Sequence, residues 1–421
     1  MKPPRITTLP YGYDFDWDDH EIKIAARRLS MRKEEVKGEI TITCNKAEGG
    51  SHLKQCSYNF SADSSRRKMA TELNSRYQPN GDVSDSSEWE AVIEQTCFYT
   101  LKYFRKGDDV VEINTSEASI KKPEYVLEPF LIKNYPSILF GDWSASKSTN
   151  AILMAACCSL PWYDNPMGWE VPARPMNVLY LDWETDSSTI TWTSHVLTNG
   201  MGLGYFPLFY RRCTLPLARD LEQISECIED YKADITILDS LGMAAGGDAN
   251  ATEPAFEFWS AWRKLKTTSL ILAHNSKSTE DNNKRSVFGS QFYSAGARSI
   301  WEIRKNQEAG SNKLEVGFFN RKPPPFDALR QPFGIQIEFS SFDKMIVKAK
   351  DGNTIDDFMD SCTNSQRIKN VLLRAGNLTI ADLAMETGLK APIVTTELNR
   401  LKNKGVVVKL PDSTWGVTSN G

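Results

Sequence analysis

The stretch that decides the fold runs from Ser137 to Thr149 and reads Ser-Ile-Leu-Phe-Gly-Asp-Trp-Ser-Ala-Ser-Lys-Ser-Thr. An apolar run ends at Gly141, a short polar loop follows, and an apolar helix is predicted from Asn150 to Leu160. A phosphate-binding loop (P-loop) needs this order. Its backbone N–H groups surround phosphates, a lysine reaches the β- and γ-oxygens, and a hydroxyl binds Mg²⁺. The spacing therefore predicts a nucleotide site after the first strand of an α/β domain.

The candidate residues for this loop are consecutive in the chain. They are Gly141, Asp142, Trp143, Ser144, Ala145, Ser146, Lys147, Ser148 and Thr149, with Ser148 as the candidate metal ligand. One position departs from the pattern, because Ser146 stands where such loops normally carry a glycine, which has no Cβ to crowd a phosphate. The motif is therefore degenerate, and a chance loop before a core helix is the competing interpretation.

The region around this loop alternates short apolar runs with longer helical stretches. The predicted strands are 137–141, 178–182, 208–211, 235–239, 270–274 and 299–303. This alternation predicts a mainly parallel sheet covered by helices on both faces. Ligand sites in such sheets lie at the carboxyl ends of the strands.

Polar residues follow several of these runs. Asp182 and Glu184 end the second run, and either is a candidate base for orienting the water that attacks a γ-phosphate. Asp239 follows Ile-Thr-Ile-Leu, the Walker B form whose carboxylate reaches Mg²⁺. His274 ends another run, where a polar sensor and a satisfied core histidine are both possible. These features in this order support a nucleotide site more strongly than any one alone.

Composition excludes several classes of protein. The chain has 421 residues, with 50 Lys and Arg against 54 Asp and Glu, which is typical of a folded protein of more than one domain. No apolar run is long enough to cross a membrane, and the N-terminus lacks the apolar segment of a secretory signal, so we expect a cytoplasmic protein. Its 8 cysteines have no C-x-x-C spacing, which argues against zinc knuckles and disulfides.

We predict four segments along the chain. They are a small α+β N-terminal domain (1–122), the P-loop α/β core (123–345), a linker (346–364) and a C-terminal domain (365–421). In the last segment, three short helices and two strands predict a winged helix-turn-helix. Its excess of basic residues suits DNA phosphates, although winged helices also dock proteins. The candidates for the groove are Thr395, Thr396, Asn399 and Arg400.

From about Ser57 to Trp415 the sequence resembles RecA-like ATPases of the plasmid-type (RepA-like) hexameric replicative helicases, often described as AAA-family ATPases. Besides the P-loop and Walker B segments, several short stretches carry the resemblance. They are 59–61, Ser64 with Arg66, 128–133, Gly246-Gly247-Asp248-Ala249-Asn250, 288–290 and 297–301. The resemblance implies a RecA-like core that binds ATP and Mg²⁺ and assembles into a ring of about six subunits.

The resemblance also implies residue roles. Lys147 and Ser148 would bind phosphate and Mg²⁺, Glu184 would be the catalytic base, Asp239 the Walker B acid, and His274 the sensor of the γ-phosphate. Members of the family place a basic residue on a late strand that reaches the neighbouring subunit's nucleotide. Arg321 is the better candidate because a planar guanidinium stabilises spread charge, with Lys322 and Arg298 as alternatives.

A long polar segment after His274 carries Lys277, Lys284 and Arg285. Such a segment either contacts DNA phosphates in a central pore or is a disordered surface loop. We therefore expect an oligomeric ATP-dependent DNA motor of a mobile element or phage-like replication system. Single-stranded DNA would pass through the ring, and duplex DNA would bind the winged helix. The alternative is a nucleotide-responsive DNA-binding regulator or scaffold with little or no hydrolysis.

Overall fold

The computed structural model describes residues 1–45, 52–76, 87–107, 109–112, 123–276, 285–350 and 364–418. The chain divides into two compact units. The first comprises Met1–Lys121, Leu217–Cys227 and Ser260–Leu265, and the second comprises Lys122–Pro216, Ile228–Trp259 and Lys266–Gly421. Within the described ranges, no helix is both long enough and apolar enough to cross a membrane.

The N-terminal part of the first unit contains a five-stranded antiparallel sheet and two helices. Its strands are β1 (Arg5–Leu9), β2 (Gly12–Trp17), β3 (Ile22–Arg32), β4 (Glu35–Cys44) and β5 (His52–Asn59), in that spatial order. Its helices are α1 (Asp63–Arg76) and α2 (Ser87–Lys106). In the sequence, the runs 39–44 and 53–60 predict a strand pair at β4 and β5, and the spacing of apolar residues over 87–103 predicts α2, whereas no pattern predicts β1 to β3 or α1.

The core of this unit follows from two periodicities. Along β4, Val36, Ile40 and Ile42 are buried on one face of the sheet, as strand alternation requires. Along α2, Trp89, Val92, Ile93 and Cys97 recur at three- and four-residue steps and pack into the same cluster. The helices therefore cover one face of the antiparallel sheet.

The second unit is built on a nine-stranded sheet in the order β10-β9-β11-β12-β8-β13-β14-β15-β16. The first six of these strands run parallel, and the last three are antiparallel. Their bounds are β8 (Pro136–Gly141), β9 (Val178–Asp182), β10 (Leu208–Arg212), β11 (Ile235–Asp239), β12 (Thr268–His274), β13 (Ser299–Asn306), β14 (Lys313–Lys322), β15 (Phe333–Ser341) and β16 (Lys344–Lys350). The predicted mainly parallel sheet is confirmed.

Helices follow most of the parallel strands. They are α3 (Lys147–Ser159), α4 (Ser187–Met201), α5 (Leu221–Asp230), α6 (Leu241–Ala245), α7 (Thr252–Leu265) and α8 (Gln291–Gly296). All residues of β8, β9 and β11 are buried, as expected for central parallel strands. A small ribbon of β6 (Tyr125–Leu127) and β7 (Leu131–Ile132) precedes β8.

Among the boundaries that differ from the sequence-based expectation, two concern the P-loop and the expected linker. Helix α3 begins at Lys147 rather than near Asn150, so the lysine and Ser148 lie in its first turn. Strand β16 includes residues 346–350, which we assigned to a linker, because its buried Met345 and Val347 pack into the core. Residues 351–363 of that expected linker lie outside the described residues.

The C-terminal segment has its own small core. Helices α9 (Asn364–Ala375), α10 (Ile380–Thr387) and α11 (Ala391–Asn403) pack with a two-stranded ribbon of β17 (Val407–Lys409) and β18 (Trp415–Val417). Thr379 begins α10 with a capping box, in which its hydroxyl accepts from the Asp382 N–H and the Asp382 carboxylate accepts in return. A proline in the first turn begins α11.

Candidate functional site

The P-loop leaves the sheet where β8 ends at Gly141. This glycine pairs with Ile303 of β13, and a Cβ at this position would lie 2.5 Å from the Ile303 carbonyl oxygen. Only glycine therefore fits the first position of the loop without moving the neighbouring strand. The loop then turns directly into α3, whose first turn carries Lys147 and Ser148.

Two serines of the loop adopt left-handed backbone conformations. Ser144 has φ 60° and Ser146 has φ 59°. L-residues with a side chain occupy this region at a cost of about 1–3 kcal/mol each, whereas glycine does so freely. The glycine that such loops normally carry at 146 is thus replaced by a residue that holds the same kind of conformation under strain.

The N-terminus of α3 has no side-chain cap, although Ser146 occupies the cap position. By contrast, α4 is capped by the Asp186 side chain, which accepts from the Thr189 N–H. Uncapped N–H groups at a helix N-terminus form a ready site for an anion. The first turn of α3 is therefore suited to phosphate.

Lys147 is buried at this edge, with 8% of its surface exposed. Its ammonium donates to the carbonyl oxygens of Gly141 (3.2 Å) and Asp142 (2.9 Å) and to Nδ1 of His274 (3.4 Å). Burial lowers its pKa, and the carboxylates of Asp239 and Glu184 oppose that change. The lysine is held within the loop by acceptors that a phosphate would replace.

Asp239 ends β11 and faces α3. Its Oδ2 accepts from the Ser148 hydroxyl at 2.6 Å and from the Tyr180 hydroxyl at 2.6 Å. Burial raises the pKa of this carboxyl, and the two hydroxyl donors partly offset the effect. The predicted metal ligands Ser148 and Asp239 are therefore adjacent.

Glu184 and His274 lie together beside the loop. His274 Nε2 is 3.2 Å from Glu184 Oε1, and the Ser240 hydroxyl donates to the same carboxylate oxygen. Because His274 Nδ1 accepts from Lys147, its proton is assigned to Nε2, which donates to Glu184. The hydrogen bond from His274, aided by that from Ser240, lowers the pKa of Glu184 despite partial burial. A continuous chain thus links Lys147, His274 and Glu184.

Asp182, the alternative base, is fully buried and committed to its own turn. Its Oδ1 accepts from the backbone N–H groups of Glu184 (2.8 Å) and Thr185 (2.9 Å). Its Oδ2 accepts from the hydroxyls of Thr185 (2.6 Å) and Tyr210 (3.1 Å). This geometry favours Glu184 as the base and gives Asp182 the task of holding the Glu184 backbone.

The second P-loop residue joins the loop to the neighbouring strand. Asp142 accepts from the Asn275 amide at 2.7 Å and from the Arg285 guanidinium at 2.9 Å. Next to it, the Trp143 ring stacks on the His274 ring, with centroids 5.0 Å apart, although 79% of Trp143 is exposed. The residues after β12 therefore contact the P-loop through two side chains.

The basic candidates on β14 both have partners in their own chain. Arg321 donates through Nε to Glu302 at 2.7 Å, and Glu302 is fully buried and also accepts from Arg304. Lys322 donates to the carbonyl oxygens of Ser294, Ala295 and Ala297 at the end of α8. The remaining alternative, Arg298, lies over the Tyr135 ring at 5.4 Å.

The predicted DNA contacts divide into three groups. Lys277 and Lys284 lie outside the described residues. Arg285 is described and pairs with Asp142, as above. Thr396, Asn399 and Arg400 lie on the exposed side of α11, opposite its buried residues. The structure thus brings the nucleotide candidates together and places the α11 candidates on a separate surface of the same unit.

Sequence patterns missed three contributors to the site. Tyr180 and Tyr210 donate to the two strand-end aspartates, and Ser240 donates to Glu184. Tyr180 left a trace in the sequence, because a tyrosine inside a buried aliphatic strand needs a partner for its hydroxyl. Ser240 belongs to no catalytic motif in the sequence, and its contact with Glu184 depends on the turn after β11.

The donor set fits Mg²⁺ and a nucleotide. A hydroxyl and a carboxylate, Ser148 and Asp239, are hard oxygen ligands, and Mg²⁺ typically uses one or two carboxylates together with waters and substrate phosphates. Across the described ranges, no group of three or more His, Cys, Asp or Glu side chains could hold a metal alone. A site with one acidic ligand therefore depends on the phosphates of a substrate.

One comparison with known proteins matches the part of the chain that carries this site. Residues 102–280 match a family profile described as an AAA domain, which spans the P-loop, Glu184, Asp239 and His274. With the observed sheet, this match supports a RecA-like P-loop ATPase core and nucleotide-dependent activity. AAA-type and RecA-like ATPases generally use ATP and Mg²⁺.

Comparisons with curated proteins and with solved structures give two further results. No curated protein matches the chain. Among solved structures, a KaiC-like protein of the hyperthermophilic archaeon Pyrococcus horikoshii OT3 is similar, with 11% identity and a TM-score of 0.36. That similarity covers 53% of this chain and 93% of the other.

Proposed function

We propose that this protein is an oligomeric, Mg·ATP-dependent DNA motor, a replicative-helicase-like ATPase of a mobile element or phage-like system. The observation that carries the ATPase part is the chain of contacts from Lys147 through His274 to Glu184, beside the Ser148–Asp239 pair. This arrangement joins the group that holds ground-state phosphates to the group that acts on water. It occurs at the carboxyl edge of the sheet, where ligands of α/β proteins bind.

Each residue has a role that follows from its position. Lys147 neutralises charge on the β- and γ-phosphates of ATP, and the N–H groups of α3 donate to them. Glu184, kept ionised by its lowered pKa, accepts a hydrogen bond from the attacking water and then its proton. His274 responds to changes at Lys147 on one ring nitrogen and at Glu184 on the other.

Mg²⁺ would be held by Ser148 and Asp239. When bound, it neutralises charge on the phosphate oxygens and orients them for in-line attack. To bind the metal, Ser148 would have to give up the hydrogen bond that its hydroxyl now donates to Asp239 Oδ2. The buried carboxylate of Asp239 is therefore better accommodated when a cation is present.

The oligomeric part rests on the resemblance to ring-forming ATPases, with Arg321 as the proposed residue that acts on the neighbouring subunit's nucleotide. Glu302 holds this arginine in its own chain, so acting in the neighbouring site requires that pair to open. Lys322 is less suited because its ammonium already stabilises the end of α8. A mixture of inactive Arg321→Ala and Lys147→Ala subunits would then regain activity where two intact halves meet.

The DNA part rests on two surfaces. Helices α9 to α11 and the β17–β18 ribbon support a winged helix-turn-helix, with Thr396, Asn399 and Arg400 exposed for a duplex. Arg285, beside the P-loop, is the described member of the proposed single-strand contacts, together with Lys277 and Lys284. Its pair with Asp142 would link those contacts to the nucleotide.

The alternative function is a DNA-binding regulator or scaffold that binds ATP but hydrolyses it slowly or not at all. Two observations favour it: the strained Ser146 in the P-loop and the engagement of Arg321 by Glu302 within one chain. Both features would slow turnover without preventing nucleotide binding.

The deciding experiment measures ATP binding and turnover with and without single- and double-stranded DNA, beside sizing with nucleotide. We expect turnover that single-stranded DNA stimulates, from an assembly larger than a dimer. Lys147→Ala should lose most nucleotide binding, because the ammonium contacts ground-state phosphates. Nucleotide binding without detectable turnover would support the scaffold instead, and no nucleotide binding would contradict both functions.

The same assay on a chain lacking residues 365–421 tests the duplex surface. We expect weaker duplex binding with a shallower dependence on salt, because basic residues that release counterions have been removed. ATP binding should be unchanged, since the P-loop lies elsewhere in the sequence. Unchanged duplex affinity would instead assign the C-terminal segment to protein docking.

A further inference from the structure

Two tyrosines donate hydrogen bonds to carboxylates of the candidate site. Tyr180, at the centre of β9, is fully buried, and its hydroxyl donates to Asp239 Oδ2 at 2.6 Å. Tyr210, in the same register position on β10, is half-buried and donates to Asp182 Oδ2 at 3.1 Å. Their rings stack, with centroids 6.4 Å apart and planes at 24°. The pair supports both strand-end aspartates.

We propose that Tyr180 and Tyr210 are positioning residues, which orient the metal-binding carboxylate and the catalytic base respectively. Tyr180 acts on Asp239 directly. Tyr210 acts through Asp182, which accepts the backbone N–H of Glu184. This inference rests on the proposed ATPase function and deepens it, because it assigns separate supports to metal binding and to water activation.

The hydroxyl groups, rather than the rings, carry the argument. A phenylalanine would fill the strand interior without a polar group, whereas a buried hydroxyl must find a partner. Burial raises the pKa of Tyr180 well above its usual value, so the group stays protonated and can only donate to the carboxylate. A hydrogen bond to an ionised acceptor is stronger than one between neutral groups.

The geometry also separates the two effects. Ser148 and Tyr180 share one oxygen of Asp239, so when Ser148 turns to the metal, Tyr180 keeps holding that oxygen. On β9, the four donors to Asp182 fix the turn that carries Glu184, and Tyr210 is the donor from the neighbouring strand. Loss of one tyrosine should therefore affect Mg²⁺, and loss of the other should affect turnover.

The test uses the full chain and three matched substitutions, Tyr180→Phe, Tyr210→Phe and Tyr58→Phe. Tyr58 is the control, because its buried hydroxyl contacts Cys97 Sγ at 3.7 Å in the other compact unit. Two quantities are measured: the Mg²⁺ dependence of the thermal shift caused by ADP, which needs no turnover, and the kcat for ATP.

For Tyr180→Phe we expect the Mg²⁺ midpoint of the thermal shift to rise by about threefold to tenfold, a loss of one charge-assisted hydrogen bond. The thermal shift caused by ADP without Mg²⁺ should stay unchanged. A role in packing alone would not move the Mg²⁺ midpoint.

For Tyr210→Phe we expect kcat to fall by about threefold to tenfold, with the Mg²⁺ midpoint unchanged, since Glu184 loses indirect support. Tyr58→Phe should change neither quantity. If all three variants behave alike, the positioning role is wrong while the ATPase function stands. If the unaltered chain binds no nucleotide, the proposed function fails first and this inference fails with it.

Discussion

The ends of β9 and β11 offer two nearly equivalent aspartates with different tasks. Asp182 and Asp239 are paired in register on adjacent parallel strands, both are buried, and each accepts a tyrosine hydroxyl. Asp182, however, also accepts two backbone N–H groups and a hydroxyl from its own turn. Asp239 instead accepts the hydroxyl of Ser148 across the site.

This difference shows how a scaffold carboxylate can be told from a functional one. The turn after β9 folds back and uses both oxygens of Asp182, so its charge is stabilised within the protein. The turn after β11 continues into α6, and Asp239 accepts hydrogen bonds from two hydroxyls. Burial raises the pKa of this carboxyl. A buried carboxylate in that condition is suited to a cation.

The largest expected effect concerns which group at the end of β9 acts on water. Glu184→Gln should lower ATP turnover by about 10²–10⁴, the usual contribution of a general base, and leave ATP binding close to that of the unaltered chain. The glutamine keeps the size of the side chain and can still accept from Ser240. Single-turnover hydrolysis and equilibrium binding of a fluorescent ATP analogue measure the two quantities.

A Glu184→Gln variant that hydrolyses ATP at the parental rate would remove Glu184 from the chemistry and return the role to Asp182 or another group. A suitable comparison is Glu302→Gln, which alters a buried glutamate of β13 that holds Arg321 and Arg304. That substitution should reduce stability and weaken the hold on Arg321, so it should not reproduce the selective loss of turnover expected of Glu184→Gln.

The sequence sufficed to locate the edge where the site lies. The six parallel strands, Lys147, Ser148, Asp239 and the position of His274 all follow from local runs and their order. It could not decide between Asp182 and Glu184 as the base, because side chains two residues apart along a strand point to the same face. That choice depends on the turn that follows the strand.

Contacts between distant segments were also beyond prediction. The sequence does not indicate which tyrosine donates to which aspartate. Tyr180 reaches Asp239 because β9 pairs with β11 in the folded sheet. Strands β1 to β3 were missed because charged residues such as Arg27 and Asp14 interrupt their apolar pattern. Those two charges pair with each other across the sheet at 2.6 Å, which removes the apparent conflict.

A second, smaller effect is expected when each of the two aspartates is replaced by asparagine. Asp182→Asn should lower the free energy of unfolding by about 1–3 kcal/mol, because an amide nitrogen then faces N–H and O–H donors. Asp239→Asn should leave stability at neutral pH unchanged or slightly higher, while Mg²⁺-dependent turnover is lost. Denaturant unfolding and ATP turnover on both variants give the comparison.

The sign for Asp239 follows from its raised pKa. Its folded form binds a proton more tightly than the unfolded chain does, so the ionised carboxylate costs stability above both pKa values. Any gain from Asp239→Asn should therefore be present at neutral pH and disappear as pH falls below the ordinary range of an aspartate. Equal stability losses for the two variants would show that both aspartates are scaffold residues.

The smallest expected effect concerns Ser146 in the P-loop. Its left-handed conformation is one that glycine adopts freely, so Ser146→Gly should relieve about 1 kcal/mol of strain, set against the greater freedom that glycine brings to the unfolded chain. The conformation itself is already present, and Lys147 is already directed into the loop.

Ser146→Gly should therefore change turnover by about tenfold or less, equivalent to roughly 1.4 kcal/mol of barrier. Ser144→Gly is the comparison, because that serine has nearly the same φ but lies three residues before Lys147 in the chain, whereas Ser146 is adjacent to it. It should change stability by a similar amount and turnover by less than Ser146→Gly does. If the unaltered chain binds no ATP and Ser146→Gly gains binding, the serine has disabled the loop, and both the motor and the ATP-binding scaffold are contradicted.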